Sequence, residues 1–245
     1  MRPTSAIVRL SAIRENYRTA CRLAPGSQNI AVIKSNAYGH GAVEVARALH
    51  GDAPAFAVAF FEEAVELREA GITKPILILQ GILGDEKVAE AASSDFWLML
   101  NNQQQIGQVV SSSSTQPVRA WLKVETGMHR LGLEPEDAEI ACEALSSSGK
   151  IQPGLVLCTQ LACADVPCCA SALAKVSSNS RRAPSFSPTP MTSSFLKTVC
   201  STAGFRQLSG MLVLDLLQAA RADAAMRKMR SLPIWVLITE STSPL

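Results

Sequence analysis

From residue 29 to about residue 158 the chain alternates short strand-like apolar runs with helix-like stretches of about ten residues. This rhythm restricts the fold more than any other feature. The runs lie at 29–34 (NIAVIK), 55–59 (AFAVA), 75–80 (PILILQ), 96–100 (FWLML), 118–124 (VRAWLKV) and 151–158 (IQPGLVLC), which makes six strand candidates. Strands separated by helices imply parallel βαβ units. Runs with little polar alternation fit strands covered on both faces. A closed β/α barrel needs eight such units, whereas an open doubly wound sheet is satisfied by six. The rhythm therefore gives the α/β class and leaves closure open.

The punctuation between the runs is helical. Ser11 is a candidate N-cap for a helix that Pro25-Gly26 stops after Ala24. Phe61, Ala64 and Val65 share one face of a second helix, with Gly71 placed to end it. Further helices are expected near 85–92 and 102–110, and Pro135 suits the first position of another that runs to about Leu145. The hydrophobic share is 47% and the aromatic share only 5%, so aliphatic and alanine side chains must fill the core.

The texture changes after about residue 165. Residues 176–195 (VSSNSRRAPSFSPTPMTSSF) are dense in Ser, Pro and Thr and read as loop or disorder. Beyond them the expectation is one amphipathic helix at about 208–230 and a short apolar run at 232–238. The division that follows is a β/α portion over 1–165 and an irregular tail over 166–245, as a frameshift or deletion would produce.

A net charge of +2 with interspersed signs argues against a nucleic-acid or membrane partner. The seven cysteines form no C-x-x-C pair, which argues against a metal site. Their odd number and a polar N-terminus favour free thiols in the cytoplasm. Met211 to Leu217 is too short an apolar run to span a bilayer, and Asp215 interrupts it.

Two segments carry chemistry. In AVIKSNAYGHG, residues 31–41, Lys34 stands at the end of a strand, on the face where active sites gather in a parallel barrel. Gly39 and Gly41 allow a tight turn into a helix N-terminus, a natural phosphate site, and Tyr38 lies four residues past the lysine. A lysine partly withdrawn from water has a lowered pKa and forms Schiff bases. A lysine snorkelling from a strand end beside a polar loop fits the same letters. In WLKVETGMHRLGL, residues 121–133, Lys123 lies within a strand and Arg130 in the loop after it, with Gly127 and Gly132 permitting the turn. A guanidinium held there suits a carboxylate or phenolate, and a plain surface arginine is the alternative. An inward strand lysine requires an anionic partner.

AVIKSNAYGHG closely resembles the cofactor-lysine motif of alanine racemases, and KVETGMHRLG resembles their later substrate-loop motif. Between them, FAVAFFEEAVELREAGITKPILILQG is also similar at similar spacing, and the resemblance covers roughly residues 3–166. It implies a β/α (TIM-type) barrel, here about six βα units, followed in the family by a second, mainly β domain and working as a homodimer. It further implies an isomerase of L- and D-alanine that uses pyridoxal 5'-phosphate. Lys34 would hold the cofactor and act as base on one face of Cα, and Tyr38 would bind the phosphate. Arg130 would contact the substrate carboxylate. Lys123 matches a lysine that many members carry as a carbamate. Ser180 matches a phosphate-binding serine on a later strand.

Departures from the family are equally legible. The chain has only two tyrosines, Tyr17 and Tyr38, so the tyrosine that the family's second domain supplies as the opposite base has no counterpart. Gln160 stands where the family has a histidine that stacks on the cofactor ring, and Arg181-Arg182-Ala183 breaks the match around Ser180. Residues 5–10 read as a strand that the family pairs inside its second domain. Besides a racemase, a barrel that binds the cofactor without racemising, or a non-functional fragment, fits these departures.

Overall fold

The structure is a computed structural model that describes residues 5–24, 27–84, 86–125 and 128–160 together with the strands at 210–215 and 234–239. Helix α1 (Leu10–Leu23) leads into strand β1 (Ser27–Val32), the short turn α2 (Lys34–Gly39) and helix α3 (Ala42–Leu49). The rhythm continues through β2 (Phe56–Val58), α4 (Phe61–Glu69), β3 (Ile76–Ile78), α5 (Glu86–Ser93), β4 (Phe96–Leu100) and α6 (Gln103–Ser111). It then passes through β5 (Arg119–Lys123), α7 (Pro135–Ser147) and β6 (Val156–Gln160). All six strands from β1 to β6 pair in parallel with their sequence neighbours, as the six expected βα units require.

Two further strands, β7 (Gly210–Asp215) and β8 (Ile234–Thr239), extend the six-unit sheet. β7 pairs with β6, and β8 pairs with both β7 and β1, so the eight strands form a closed barrel. The helix expected at 208–230 is therefore corrected over Gly210–Asp215. A short apolar run such as MLVL satisfies a helix stripe and a buried strand equally well. Of the apolar run at 232–238, residues 234–238 lie in β8. The rest of the 166–245 tail, including Asn179, Ser180 and the 176–195 segment, lies outside the described residues.

Element boundaries depart from expectation at three places. The N-terminal strand at 5–10 is not formed: residues 5–9 pair with no strand among the described residues, α1 already starts at Leu10, and Ile7 is 85% exposed. The cap expected from Ser11 is absent, since Arg9 occupies the N-cap and makes no side-chain bond. The sixth strand begins at Val156 rather than at residue 151, because Pro153 and the positive-φ Gly154 interrupt the run, leaving Ile151 only an isolated bridge to Val118. Pro135 does open α7, and Gly71 takes a left-handed φ of 84° just after α4.

Alternation along each strand divides the core in two. Ala31, Phe56, Val58, Ile76, Ile78, Leu98, Leu100 and Leu122 face outward and pack with Val45, Leu49, Leu67, Ile106, Ala138 and Leu145 of the helices. Ile30, Val32, Ala55, Ala57, Leu77, Trp97, Met99, Trp121, Val156 and Cys158 fill the barrel interior. The Trp97 and Trp121 rings stack there with centroids 5.7 Å apart. On the outside, the buried Tyr17 hydroxyl of α1 donates to the Asn29 carbonyl of β1 at 2.6 Å. Among the described residues no helix is long and apolar enough to cross a membrane.

Candidate active site at the C-terminal mouth of the barrel

Parallel pairing brings the C-terminal ends of β1, β2, β5 and β6 to one mouth, and the candidate residues follow those ends. Lys34 comes two residues after β1, and its side chain is half-buried. The next four residues, Ser35 to Tyr38, all take left-handed angles, with φ between 52° and 54°. None is glycine, and such a conformation costs of the order of 1–2 kcal/mol per residue. The surrounding bonds must offset that cost. Ala37 N–H donates to the Ile33 carbonyl at 2.9 Å, and Gly41 N–H to the Asn36 carbonyl at 3.0 Å. The Asn36 side chain accepts from Ala42 N–H at 2.8 Å. Ser35 N–H donates to Glu63 Oε1 at 2.6 Å.

These bonds alter one expectation. At the helix N-terminus after Gly39 and Gly41, expected from sequence as a natural phosphate site, the amides of Gly41 and Ala42 are taken up inside the turn by Asn36. Asn36 tolerates the left-handed region better than most residues and uses its side chain to close the turn. Tyr38 is placed otherwise: it is half-buried and packs against the interior cluster of the barrel.

Lys123 ends β5 and is 6% exposed, opposite Cys158 of β6. Burial pulls its ammonium below the ordinary lysine range, and the nearby positive charges of Arg130 and Lys34 push the same way. Glu125, itself 9% exposed, acts in the opposite direction. Burial also pushes the neighbouring Cys158 thiol up to about 12, so it stays protonated. Lys34, far in sequence from Lys123 and Arg130, therefore shares one electrostatic neighbourhood with them.

The loop after β5 folds back on its own strand. Leu133 N–H donates to the Lys123 carbonyl at 2.9 Å, and Glu125 N–H donates to the Leu133 carbonyl at 2.8 Å. Gly132 makes this possible: its φ is 126°, and a Cβ there would lie 2.9 Å from Glu125 N and 3.0 Å from the Val124 carbonyl carbon. Glu125 Oε1 accepts from Met128 N–H at 2.7 Å and holds the loop from the inside. Arg130 is exposed on this loop, and its Nη2 donates to Gln160 Oε1 at 2.8 Å. Gly127 lies outside the described residues.

The structure thus brings Lys34, Lys123 and Arg130 together at one mouth, with Tyr38 against the interior next to it. Sequence reasoning missed the part taken by Glu63, whose only signal was a glutamate in the first turn of a helix, at N3, where it accepts from the N-cap amide of Phe60. It also missed the pairing of Arg130 with Gln160. Among the described residues no group of three or more His, Cys, Asp or Glu could hold a metal ion.

The sequence model of the family described as "Alanine racemase, N-terminal domain" matches residues 8–194. The chain is 48% identical over 165 residues to an alanine racemase of Xanthomonas oryzae, a match that covers 67% of this chain and 44% of that protein. It is 44% identical over 165 residues to an alanine racemase of Pseudomonas fluorescens, covering 67% of this chain and 46% of that protein. The chain thus spans under half the length of these relatives. The crystal structure of the biosynthetic alanine racemase of Pseudomonas aeruginosa superposes with a TM-score of 0.73 at 33% identity, covering 98% of this chain and 59% of that one. With a barrel of the same kind and a family match over most of its length, this chain belongs to the alanine racemase family and corresponds to that family's N-terminal domain.

Proposed function

We propose that this chain is the barrel portion of a pyridoxal-phosphate-dependent isomerase that interconverts L- and D-alanine, with Lys34 as the residue that carries the cofactor. The observation that carries this reading is that Lys34 follows the end of β1, Lys123 ends β5 and Arg130 is bonded to Gln160 at the end of β6, all at the C-terminal mouth of one parallel barrel. Arg130 and Lys34 lie near Lys123 there, and cations gathered at one mouth suit a ligand with a phosphate and a carboxylate. The residues present fit the cofactor: a half-buried lysine at a strand end, a tyrosine four residues later, and a cationic surround. When bound, pyridoxal phosphate supplies an electron sink for the Cα of an amino acid.

Each residue then has a task. Lys34 Nζ would hold the cofactor and would take or return the Cα proton on one face. The Tyr38 hydroxyl binds the phosphate, with Ser180 as a second phosphate ligand. Arg130 orients the substrate carboxylate with a planar pair of N–H donors. Lys123 reacts through its neutral amine with carbon dioxide, forming an N–C bond and releasing a proton, and the resulting carbamate offsets the charge of Arg130. In this reading the protein acts in the cytoplasm as a homodimer, and its D-alanine serves peptidoglycan.

One observation favours a second reading, a barrel that binds the cofactor and works one face of Cα only. Tyr17 is held by the Asn29 carbonyl on the outer side of β1, so of the chain's two tyrosines only Tyr38 stands at the mouth. L-alanine in deuterium oxide separates the two readings. Racemisation gives D-alanine and deuterium at Cα together, whereas one-face exchange gives deuterated L-alanine without D-alanine. A wild-type protein that acquires no absorbance band from pyridoxal phosphate would rule out both.

A further inference from the structure

Glu63 makes more bonds than a helix cap requires. It occupies the first turn of α4, where one carboxylate oxygen, Oε2, accepts from Ala59 N–H at 2.7 Å and Phe60 N–H at 3.1 Å, both just past the end of β2. The other oxygen, Oε1, reaches across to the neighbouring strand end and accepts from Ser35 N–H at 2.6 Å. That amide belongs to the residue directly after Lys34, and it opens the run of four left-handed residues. A single carboxylate therefore ties the end of β1 to the end of β2 at the point where the backbone carries most strain. Bonds from N–H groups to an ionised carboxylate are about twice as strong as neutral ones. The bonds from Ala37 N–H to the Ile33 carbonyl, from Gly41 N–H to the Asn36 carbonyl and from Ala42 N–H to the Asn36 side chain close the turn on itself, and Ile33 N–H, just before Lys34, donates to the Ala57 carbonyl of β2 at 2.8 Å, so Glu63 adds a tie to β2 on the far side of Lys34.

We propose that Glu63 is the positioning residue of Lys34: by holding Ser35 N–H it fixes the left-handed turn and with it the place of the Lys34 side chain at the barrel mouth. The proposal rests on the functional reading above for what Lys34 does, but its geometric part stands without any cofactor. Glu63 touches no reacting atom in this scheme and acts only through Lys34.

Glu63→Gln tests it with little change of shape. A glutamine has one acceptor oxygen, so it cannot serve Ser35 on one side and Ala59 and Phe60 on the other. The expected result is a folded protein with a cooperative melt, an exchange rate of the Ser35 amide raised about tenfold or more without cofactor, and borohydride-fixed capture of pyridoxal phosphate on Lys34 slowed by a similar factor. Adding Ser35→Gly, which adopts a positive φ without penalty, is expected to restore at least a third of the capture rate.

Unchanged Ser35 exchange in folded Glu63→Gln would overturn the clamp. Faster exchange with unchanged capture on Lys34 would overturn the positioning role while leaving the functional reading intact. Failure of Ser35→Gly to restore capture would overturn strain as the thing Glu63 opposes. If even the wild type captures no cofactor, the functional reading falls, and Ser35 exchange alone decides whether Glu63 holds the turn.

Discussion

Arg130 Nη2 donates to Gln160 Oε1 at 2.8 Å, which ties the loop after β5 to the end of β6 across the barrel mouth. The acceptor is neutral, so the guanidinium keeps its full charge for an incoming anion. Gln160→Glu keeps the shape and adds a competing carboxylate. Arg130 is exposed, so the new pair is screened and worth at most ~1 kcal/mol. Binding of propionate, which is alanine without its amino group, is expected to weaken by roughly two- to fivefold. The difference should shrink in high salt. Titration calorimetry on the two proteins at two ionic strengths checks it, and equal affinities would count against Arg130 as the carboxylate receptor.

Lys123 has a lowered pKa because it is buried, with Arg130 and Lys34 adding to the effect. Between the folded and unfolded pKa values the unfolded chain binds a proton that the folded chain does not. Stability therefore rises with pH across that window, up to the ordinary lysine range near ~10.4, and is reduced below it. Lys123→Met removes this dependence. Urea melts of both proteins in buffer freed of carbon dioxide, where Lys123 is a free amine, at several pH values from neutral to alkaline are expected to show the wild type gaining on the variant as pH rises. A constant difference would contradict the buried ammonium.

Gly132 sits against the backbone of Val124 and Glu125 with a φ of 126°. Gly132→Ala combines backbone strain with a contact that only main-chain movement can relieve. A loss of about 1–3 kcal/mol is expected, together with a displaced Arg130. Denaturant unfolding reads the first effect and propionate affinity the second. A variant as stable as the wild type would mean that the loop has another way to close.

Cys142 and Cys158 are buried, and burial is the main cause that pushes each thiol up to about 12. Neither should react with iodoacetamide at mildly alkaline pH while the protein is folded, since the thiolate is the nucleophile. Peptide mapping after labelling with and without urea checks this. Labelling of Cys158 in the folded protein would show that the mouth around Lys123 is open to reagent.

The strands were legible where β-branched runs end at Gly or Pro, as at 75–80, and each expected run from 29 to 158 contains a real strand. Their lengths were not, because pairing stops where the chain leaves the sheet: β2 and β3 are three residues each. The run MLVLD gave no periodicity by which to tell strand from helix. Lys34, Lys123 and Arg130 were legible as residues, since two motifs hold them, but their shared neighbourhood depends on strand ends far apart in sequence. The left-handed turn after Lys34 was the least legible feature. Ser35, Ala37 and Tyr38 have no preference for that conformation, and contacts such as those of Glu63 with Ser35, Ile33 with Ala37 and the barrel interior with Tyr38 help to hold them in it.

Whether Lys34 carries pyridoxal phosphate is answered most directly by mixing the protein with the cofactor, reducing with borohydride and locating the adduct by peptide mass spectrometry. The expected result is one dominant pyridoxyl adduct on Lys34, lost in Lys34→Ala without a compensating adduct at Lys123. An adduct spread over surface lysines, or one that persists in Lys34→Ala, would contradict it.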